Sequence, residues 1–399
     1  MLKTDQIEIR ALAREFAAKE IRPHSSHWDE KRDLDSDIFV KIGELGFMGM
    51  CIPERYGGLD LDIETYLMVL EELAWGDASL ALSVAIHNGP VATLLLNYGS
   101  EEQKDKYLPS LASGSVIGAF ALSEVSAGSD PASIQTQAIS RDDGNWILNG
   151  TKRWVTNGDR AGLIMVFAVT DGETNGNTYK SQGGKSVGVF LVERDSKGYC
   201  VTGRDVTMGL RASQTVSLDL QDIKLTPDCV LGDPNRGLHY AFQALNVGRL
   251  GVAAQSVGIA QEAFEHATQY ALERHQFGQA IADFGAIQFK LADMASRIAS
   301  SRSLIRTAAY TMESDSNGID RSAYTVPAMS AMAKLTASEN AVWVTDEAVQ
   351  IFGGYGYMRD YPVEKLMRDA KGTEIYEGTN EIMRVVVARE ILKHASGDL

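Results

Sequence analysis

From Pro234 to Pro327 the chain contains no proline. Proline removes a backbone donor and clashes with the preceding helical turn, so so long an interval without it, rich in Ala, Leu, Gln and Glu, is free to form continuous helix. Leu250, Ala253, Val257, Ala260, Ala263 and Phe264 recur in it at helical spacing. Helices of that length bury an apolar stripe most simply against one another. The spacing therefore predicts long antiparallel helices packed as a C-terminal four-helix bundle over residues 232–399, with the many Ala and Gly residues letting backbones approach.

The preceding segments differ in pattern. Over residues 1–115, Ile7, Ala11, Phe16 and Ile21 recur at near-helical spacing, and residues 39–45 and 65–73 repeat it. Pro53-Glu54-Arg55-Tyr56-Gly57-Gly58 is turn chemistry, and Ser100-Glu101-Glu102-Gln103 reads as a capping box. Over residues 116–231 apolar and β-branched residues gather in runs such as 163–169 and 186–192, which predict strands. Asp142-Asp143-Gly144-Asn145 suggests a hairpin, and the polar, Gly-rich residues 174–184 a surface loop. The expected architecture is α+β and multidomain: an N-terminal helical domain, a middle β-barrel or sandwich-like domain and the C-terminal bundle. No internal repeat of fixed period occurs.

Composition removes several classes of function. With 38 Lys and Arg against 53 Asp and Glu, the net charge of −15 repels phosphate backbones and anionic membrane surfaces. Nucleic acid is not an expected partner. Cys51, Cys200 and Cys229 lie far apart with no CxxC pair, which fits a reducing compartment. No apolar run approaches about 20 residues, and the N-terminus lacks a signal-peptide pattern. The expectation is a cytoplasmic protein, or a mitochondrial-matrix one whose targeting segment has been removed. The seven histidines form no HExxH and no ligand-spaced cluster, so no metal site is expected. There is no P-loop, no hydrolase elbow, and Gly353-Gly354-Tyr355-Gly356 is not a strand-to-helix GxGxxG.

Three segments are more pointed. Residues 120–130 read as a strand entering a small-residue loop whose amides suit an anion or a ring edge. In Thr151-Lys152-Arg153-Trp154-Val155-Thr156-Asn157-Gly158, strand periodicity places Trp154 and Thr156 on one side, an indole and a hydroxyl suited to a flat heterocycle. Ile375-Tyr376-Glu377-Gly378-Thr379-Asn380-Glu381 sets a carboxylate on a Gly-containing turn before a helix. Taken singly, each is ordinary turn, core or helix-dipole chemistry.

Together, in this order, they resemble the acyl-CoA dehydrogenases over essentially the whole chain. Further motifs carry the resemblance: Pro53 to Gly58 as quoted, Leu148-Asn149-Gly150-Thr151-Lys152, Arg274-His275-Gln276-Phe277-Gly278 and Gln350-Ile351-Phe352-Gly353-Gly354-Tyr355-Gly356-Tyr357. The chain looks most like the short-chain, butyryl-CoA-type branch, through Asn246-Val247-Gly248-Arg249 ahead of an Ala-rich helix and through Ile287-Gln288-Phe289-Lys290-Leu291-Ala292-Asp293-Met294.

The resemblance implies FAD as cofactor. It places Phe120, Leu122 and Ser123 against the flavin, Gly128 and Ser129 near phosphate, Trp154 over one flavin face and Thr156 at the reactive ring nitrogen. Arg274 and Phe277 would meet FAD bound mainly to a neighbouring subunit, Gln350, Ile351, Gly353 and Gly354 its adenosine end, and Thr379, Asn380 and Glu381 the flavin side. A cofactor shared in this way implies an oligomer, by family habit a homotetramer built as a dimer of dimers.

Glu377 would then remove the α-proton of an acyl-CoA, with the enolate oxygen held by the Glu377 N–H and a ribityl hydroxyl. The β-hydrogen would leave as hydride to the flavin, giving trans-2-enoyl-CoA, and electrons would pass to an electron-transfer flavoprotein. Ser129, Asn246, Tyr376 and Gly378 would bind substrate, Arg249 would contact CoA, and residues 80–95 with Tyr376 would set pocket depth. The isovaleryl-type branch carries its base at the position that is Gly248 here, which favours Glu377. Two positions depart from the family pattern: Val125-Ser126 stands for Pro-Gly, and Gly285 for a FAD-contacting Gln. The related alternatives are an acyl-CoA oxidase, a desulfinase-type enzyme, an acyl-carrier-protein substrate, or a non-catalytic flavoprotein with an assembly role.

Overall fold

A computed structural model describes residues 3–170, 186–316 and 324–396. The loop expected at residues 174–184 lies outside the described residues. Helix α1 (Thr4–Phe16) forms as its spacing predicts, but with another face inward: Gln6 and Ala13 are buried, followed by Ala17 and Ile21, while Ile7 is 53% exposed. A polar tie fixes this rotation. Gln6 Nε2 donates to Thr65 Oγ1 (3.0 Å), and Asp62 in turn caps the helix bearing Thr65 by accepting from its N–H at 2.8 Å. A buried amide must be satisfied, and here that requirement outranks the apolar stripe.

Helices α2 (Ser25–Lys31), α3 (Asp37–Glu44), α4 (Ile63–Gly76), α5 (Ala78–Ile86), α6 (Ala92–Tyr98) and α7 (Glu101–Ala112) complete the first helical layer. Ser100 and Gln103 close the expected capping box on α7. A π-helical turn, His87–Val91, joins α5 to α6 around Pro90. The resulting run Ala78–Tyr98 is longer than the sequence reading allowed and has the length and hydropathy of a membrane span, but 83% of its most apolar window is buried inside the protein. It is a core element.

The middle region is a curled seven-stranded sheet of β1 (Gly118–Ala121), β2 (Gln137–Ser140), β3 (Trp146–Val155), β4 (Leu163–Thr170), β5 (Val187–Glu193), β6 (Tyr199–Arg204) and β7 (Val216–Leu225). The hairpin expected at residues 142–145 joins antiparallel β2 and β3. All of β4 is buried because it separates two cores: Leu163, Met165, Phe167 and Val169 join the core shared with the helices, and Ile164, Val166 and Ala168 the sheet's own.

The proline-free interval becomes α8 (Gly237–Glu273) and α9 (Gly285–Ser316), separated by the small hairpin β8 (His275–Gln276) and β9 (Gln279–Ala280). Pro327 falls in the first turn of α10 (Val326–Phe352), where no helical N–H is lost. Helix α12 (Asn380–Ser396) packs on α10, and α11 (Val363–Thr373) adds a shorter helix against α8 and α10. The first helical layer joins the bundle closely: a Cβ at Gly258 of α8 would stand 2.3 Å from the Glu71 carbonyl of α4, and Arg302 of α9 donates to the Glu71 carboxylate at 2.6 Å. Glycine here is what permits the approach of α4 to α8.

Candidate active site

Between α11 and α12 the backbone makes a turn with two consecutive left-handed residues, Glu377 (φ +58°) and Gly378 (φ +96°). That conformation is ordinary for glycine and costly for glutamate. The turn carries the Glu377 carboxyl up against α8 at a position without a side chain: a Cβ at Gly248 would lie 2.6 Å from Glu377 Oε2. Oε2 is buried and has no hydrogen-bond partner among the described residues. Burial pushes the Glu377 pKa up to about 7, against the opposing pull of Arg249 and Lys334.

Both cations are buried. Arg249 Nη1 donates to Asn246 Oδ1 at 3.1 Å, while its Nε has no partner among the described residues. Lys334 Nζ donates to the Gly378 carbonyl (2.9 Å) and to Asn380 Oδ1 (2.8 Å), and burial pushes its pKa down to about 7. Tyr376, which precedes Glu377, donates from Oη to Gln255 Oε1 at 2.7 Å. Gly89, in the π-helical turn, faces the same place: a Cβ there would lie 3.5 Å from Tyr66 Oη and 3.9 Å from Gly248 Cα. The two glycines let the π-helical turn and α8 approach closely beside Glu377 and the buried Tyr66 hydroxyl, which has no hydrogen-bond partner among the described residues.

A second group of residues forms at the sheet. The loop after β1 is folded on a buried ion pair: Lys152 Nζ reaches Glu124 Oε1 (2.7 Å) and the Leu122 carbonyl (3.0 Å). Glu124 also accepts from the N–H groups of Gln135 (2.6 Å) and Thr136 (3.0 Å). Burial pushes the Lys152 pKa down to about 8 against the pull of Glu124. Ser123 is held through its carbonyl by the Arg153 N–H at 2.9 Å. Trp154 has φ +56° and is 51% exposed, and a Cβ at Gly128 would come within 4.0 Å of its ring. The strand-period argument for Trp154 and Thr156 fails, because the register shifts between Lys152 and Val155 and β3 ends before Thr156.

The sequence matches the acyl-CoA dehydrogenase N-terminal domain over residues 3–115, the middle domain over 119–223 and the C-terminal domain over 235–392. The chain belongs to this family. The short-chain-specific acyl-CoA dehydrogenase of Clostridium acetobutylicum is 38% identical over 392 residues, covering 98% of this chain and 99% of that one. The butyryl-CoA dehydrogenase structure from Megasphaera elsdenii superposes with a TM-score of 0.91 at 37% identity, covering 98% and 99% of the two chains. A structure from a study of the electron transferring flavoprotein of Acidaminococcus fermentans and flavin-based electron bifurcation gives 0.91 at 39%, with the same coverage.

Acyl-CoA dehydrogenases use FAD, and the residues present fit a flat, anionic cofactor. A half-exposed indole on a left-handed residue overlooks a Gly-containing loop whose shape is fixed from below by Lys152 and Glu124. Leu122 is buried, Phe120, Ser123 and Thr156 half-buried, and Gly128 and Ser129 exposed. The Val125-Ser126 departure leaves the turn intact, since Glu124 and Ala127 exchange both backbone hydrogen bonds at 3.1 Å. Nothing lies within 4 Å of a Cβ at Gly285.

A third group lies at the β8–β9 hairpin: Arg274 stacks 5.6 Å over Tyr355, Phe277 is 94% exposed, and Gly353 and Gly354 are open to solvent beside the exposed Gln350. Ile351 instead points into the core. Asn380 is buried with its side chain spent on Lys334 and Ser338, whereas Thr379 is half-buried and Glu381 exposed. Arg249, expected to contact CoA, is buried and feels the charge of Glu377. Sequence reasoning missed Lys334 and Gln255, whose partners lie far away in the chain, and Tyr66, and it gave Lys152 no role. Among the described residues, no three His, Cys, Asp or Glu side chains gather as a metal site would need.

Proposed function

We propose that this dehydrogenase oxidises a short- to medium-chain acyl-CoA to the trans-2-enoyl-CoA, with Glu377 as the base that takes the α-proton. One observation carries the reading: a carboxylate on a left-handed turn with one oxygen buried and without a hydrogen-bond partner among the described residues, its pKa raised by burial to about 7. Buried polar atoms are normally satisfied, and such an exception is what a group awaiting its substrate looks like.

A pKa of about 7 suits the task, since the group is substantially ionised at neutral pH yet basic enough to accept a proton. Arg249 and Lys334 favour the ionised form that must be present before reaction. The Glu377 N–H makes no hydrogen bond among the described residues and is free to donate to the thioester oxygen as negative charge develops there. The absence of a side chain at Gly248 leaves the carboxylate unobstructed on the α8 side, and the likeness to the short-chain-specific relative supports a short chain. Bound FAD supplies the hydride acceptor for the β-hydrogen.

Two further parts of the reading concern partners. An electron-transfer flavoprotein is the proposed acceptor, supported by the likeness to the Acidaminococcus structure. A homotetramer is supported by the exposed aromatic surface around the β8–β9 hairpin, where Phe277, Phe289 and Tyr357 stand out from the single chain (Tyr357 87% exposed).

The test is an anaerobic titration of the purified flavoprotein with butyryl-CoA, then with longer and branched acyl-CoAs, followed by visible absorbance. Bleaching is expected with the short straight chains. Glu377→Gln should keep FAD and lose the bleaching, and a variant that still turns over would sink the assignment. Oxygen consumption without a mediator would move the enzyme to the oxidases.

A further inference from the structure

The reading of Glu377 as the base leaves unexplained why a lysine is buried beneath the turn that carries it. Lys334 lies on α10, 0% exposed, and its ammonium donates to two neutral acceptors, the Gly378 carbonyl at 2.9 Å and Asn380 Oδ1 at 2.8 Å. Ser338, one turn further along α10, takes the other side of Asn380, accepting from Nδ2 at 3.0 Å. These contacts clamp residues 378 and 380 and so hold the left-handed pair Glu377–Gly378 in place.

Neutral acceptors satisfy the donors of an ammonium but leave its charge to be compensated, and burying a charge without compensation is expensive. The charged groups acting on Lys334 are Glu377 and Glu374 of the turn, Glu381 of α12, and Arg249 of α8, which repels it. Glu374 is ion-paired with Lys371, and Glu381 is exposed. Glu377 is the carboxylate of this set that lies buried without a hydrogen bond to one oxygen. Apart from the two cations, the phenols of Tyr376 and Tyr66 feel its charge. A lysine needed only to tie a turn could be a neutral amide at lower cost.

We propose, resting on Glu377 as the base, that Lys334 is a positioning residue: it clamps the turn that presents the carboxylate and, while it holds its own proton, adds to Arg249 the positive charge that favours the ionised carboxylate for α-proton removal. The substrate proton goes to Glu377 alone. Lys334 stays hydrogen-bonded to Gly378 and Asn380 and takes no part in the proton transfer.

The test compares the FAD-loaded wild type with Lys334→Gln, which keeps a donor and removes the charge, and Lys334→Met, which removes both. In each, the acid limb of the kcat/KM profile should move up by about one pH unit, as loss of an opposite charge beside a carboxylate requires. Lys334→Met should also lose roughly tenfold in kcat from the freed turn, with KM little changed. Ser338→Ala loosens the same clamp without altering charge, so its limb should stay in place even where thermal stability falls. Exchange of the substrate's α-hydrogens with D2O, followed by mass spectrometry, reads the base independently of turnover and should show the same displaced limb. Limbs that coincide with the wild type in the lysine variants, or one that moves as far in Ser338→Ala, would overturn the proposal. A Glu377→Gln enzyme that still turned over would instead overturn the reading beneath it, so the two failures are distinguishable.

Discussion

Replacing Gly248 by alanine adds one methyl group where the structure has room for none. The new Cβ would lie 2.6 Å from Glu377 Oε2, 2.9 Å from Cδ and 3.2 Å from Oε1, whereas ordinary contact begins at 3.4 Å. The carboxyl group must therefore retreat by about 0.8 Å (3.4 − 2.6), and it rides on a turn held from the other side by Lys334. A misplacement of about 1 Å at the reacting centre costs on the order of a hundredfold in rate, equivalent to about 2.7 kcal/mol in the barrier. Stability should move the other way, since alanine is favoured over glycine inside a helix by about 1 kcal/mol, which offsets local crowding. The expected enzyme keeps its flavin, melts at or near the wild-type temperature and reduces its flavin roughly a hundredfold more slowly in stopped flow. α-Deuterated acyl-CoA should then show a larger isotope effect than in the wild type, because proton transfer has become the slow step. Wild-type rates with an unchanged isotope effect would mean that the base does not sit against Gly248.

Two other outcomes follow from buried charges. Glu377 titrates near 7 in the folded protein against 4.5 unfolded, so the native state holds more protons between those values and loses stability as pH rises through them, by roughly 3 kcal/mol in all (2.5 pH units at 1.36 kcal/mol each). Denaturation of wild type and Glu377→Gln across pH 4.5 to 8 should show the variant's advantage growing until about pH 7 and then levelling; parallel curves would refute the assignment. Lys152→Met strands Glu124 in the loop after β1, with an expected loss of about 3–5 kcal/mol and weaker FAD retention as the Leu122 carbonyl is released. Urea melts and flavin release on dilution measure the two effects, and a variant as stable and as yellow as the wild type would count against them.

Much of this was legible in the amino acids because it is local. The proline-free interval fixes α8 and α9, Ser100 to Gln103 caps α7, and Tyr376-Glu377-Gly378 marks its turn within a few residues. What escaped depends on partners remote in sequence. Gln6 turns α1 away from its apolar stripe because Thr65 waits for it, and Lys152 enters the sheet interior because Glu124 meets it there. Strand periodicity fails at Trp154 for a different reason: the extra residue of a bulge resets the alternation, and no single residue type announces it. Lys334 combines both difficulties, reading as one polar position on a long helix until the chain returns 44 residues later to place Gly378 over it.

The left-handed backbone at Glu377 also bears on how such a chain changes over generations. Glycine at that position would relieve the backbone, spare the protein a buried carboxylate and leave no orphaned oxygen, so random change supplies an easy route to a more robust but inert molecule. Selection on folding alone would take that route. A scaffold serving only an assembly role would have no use for so awkward a residue, whereas the proposed reaction gives it one.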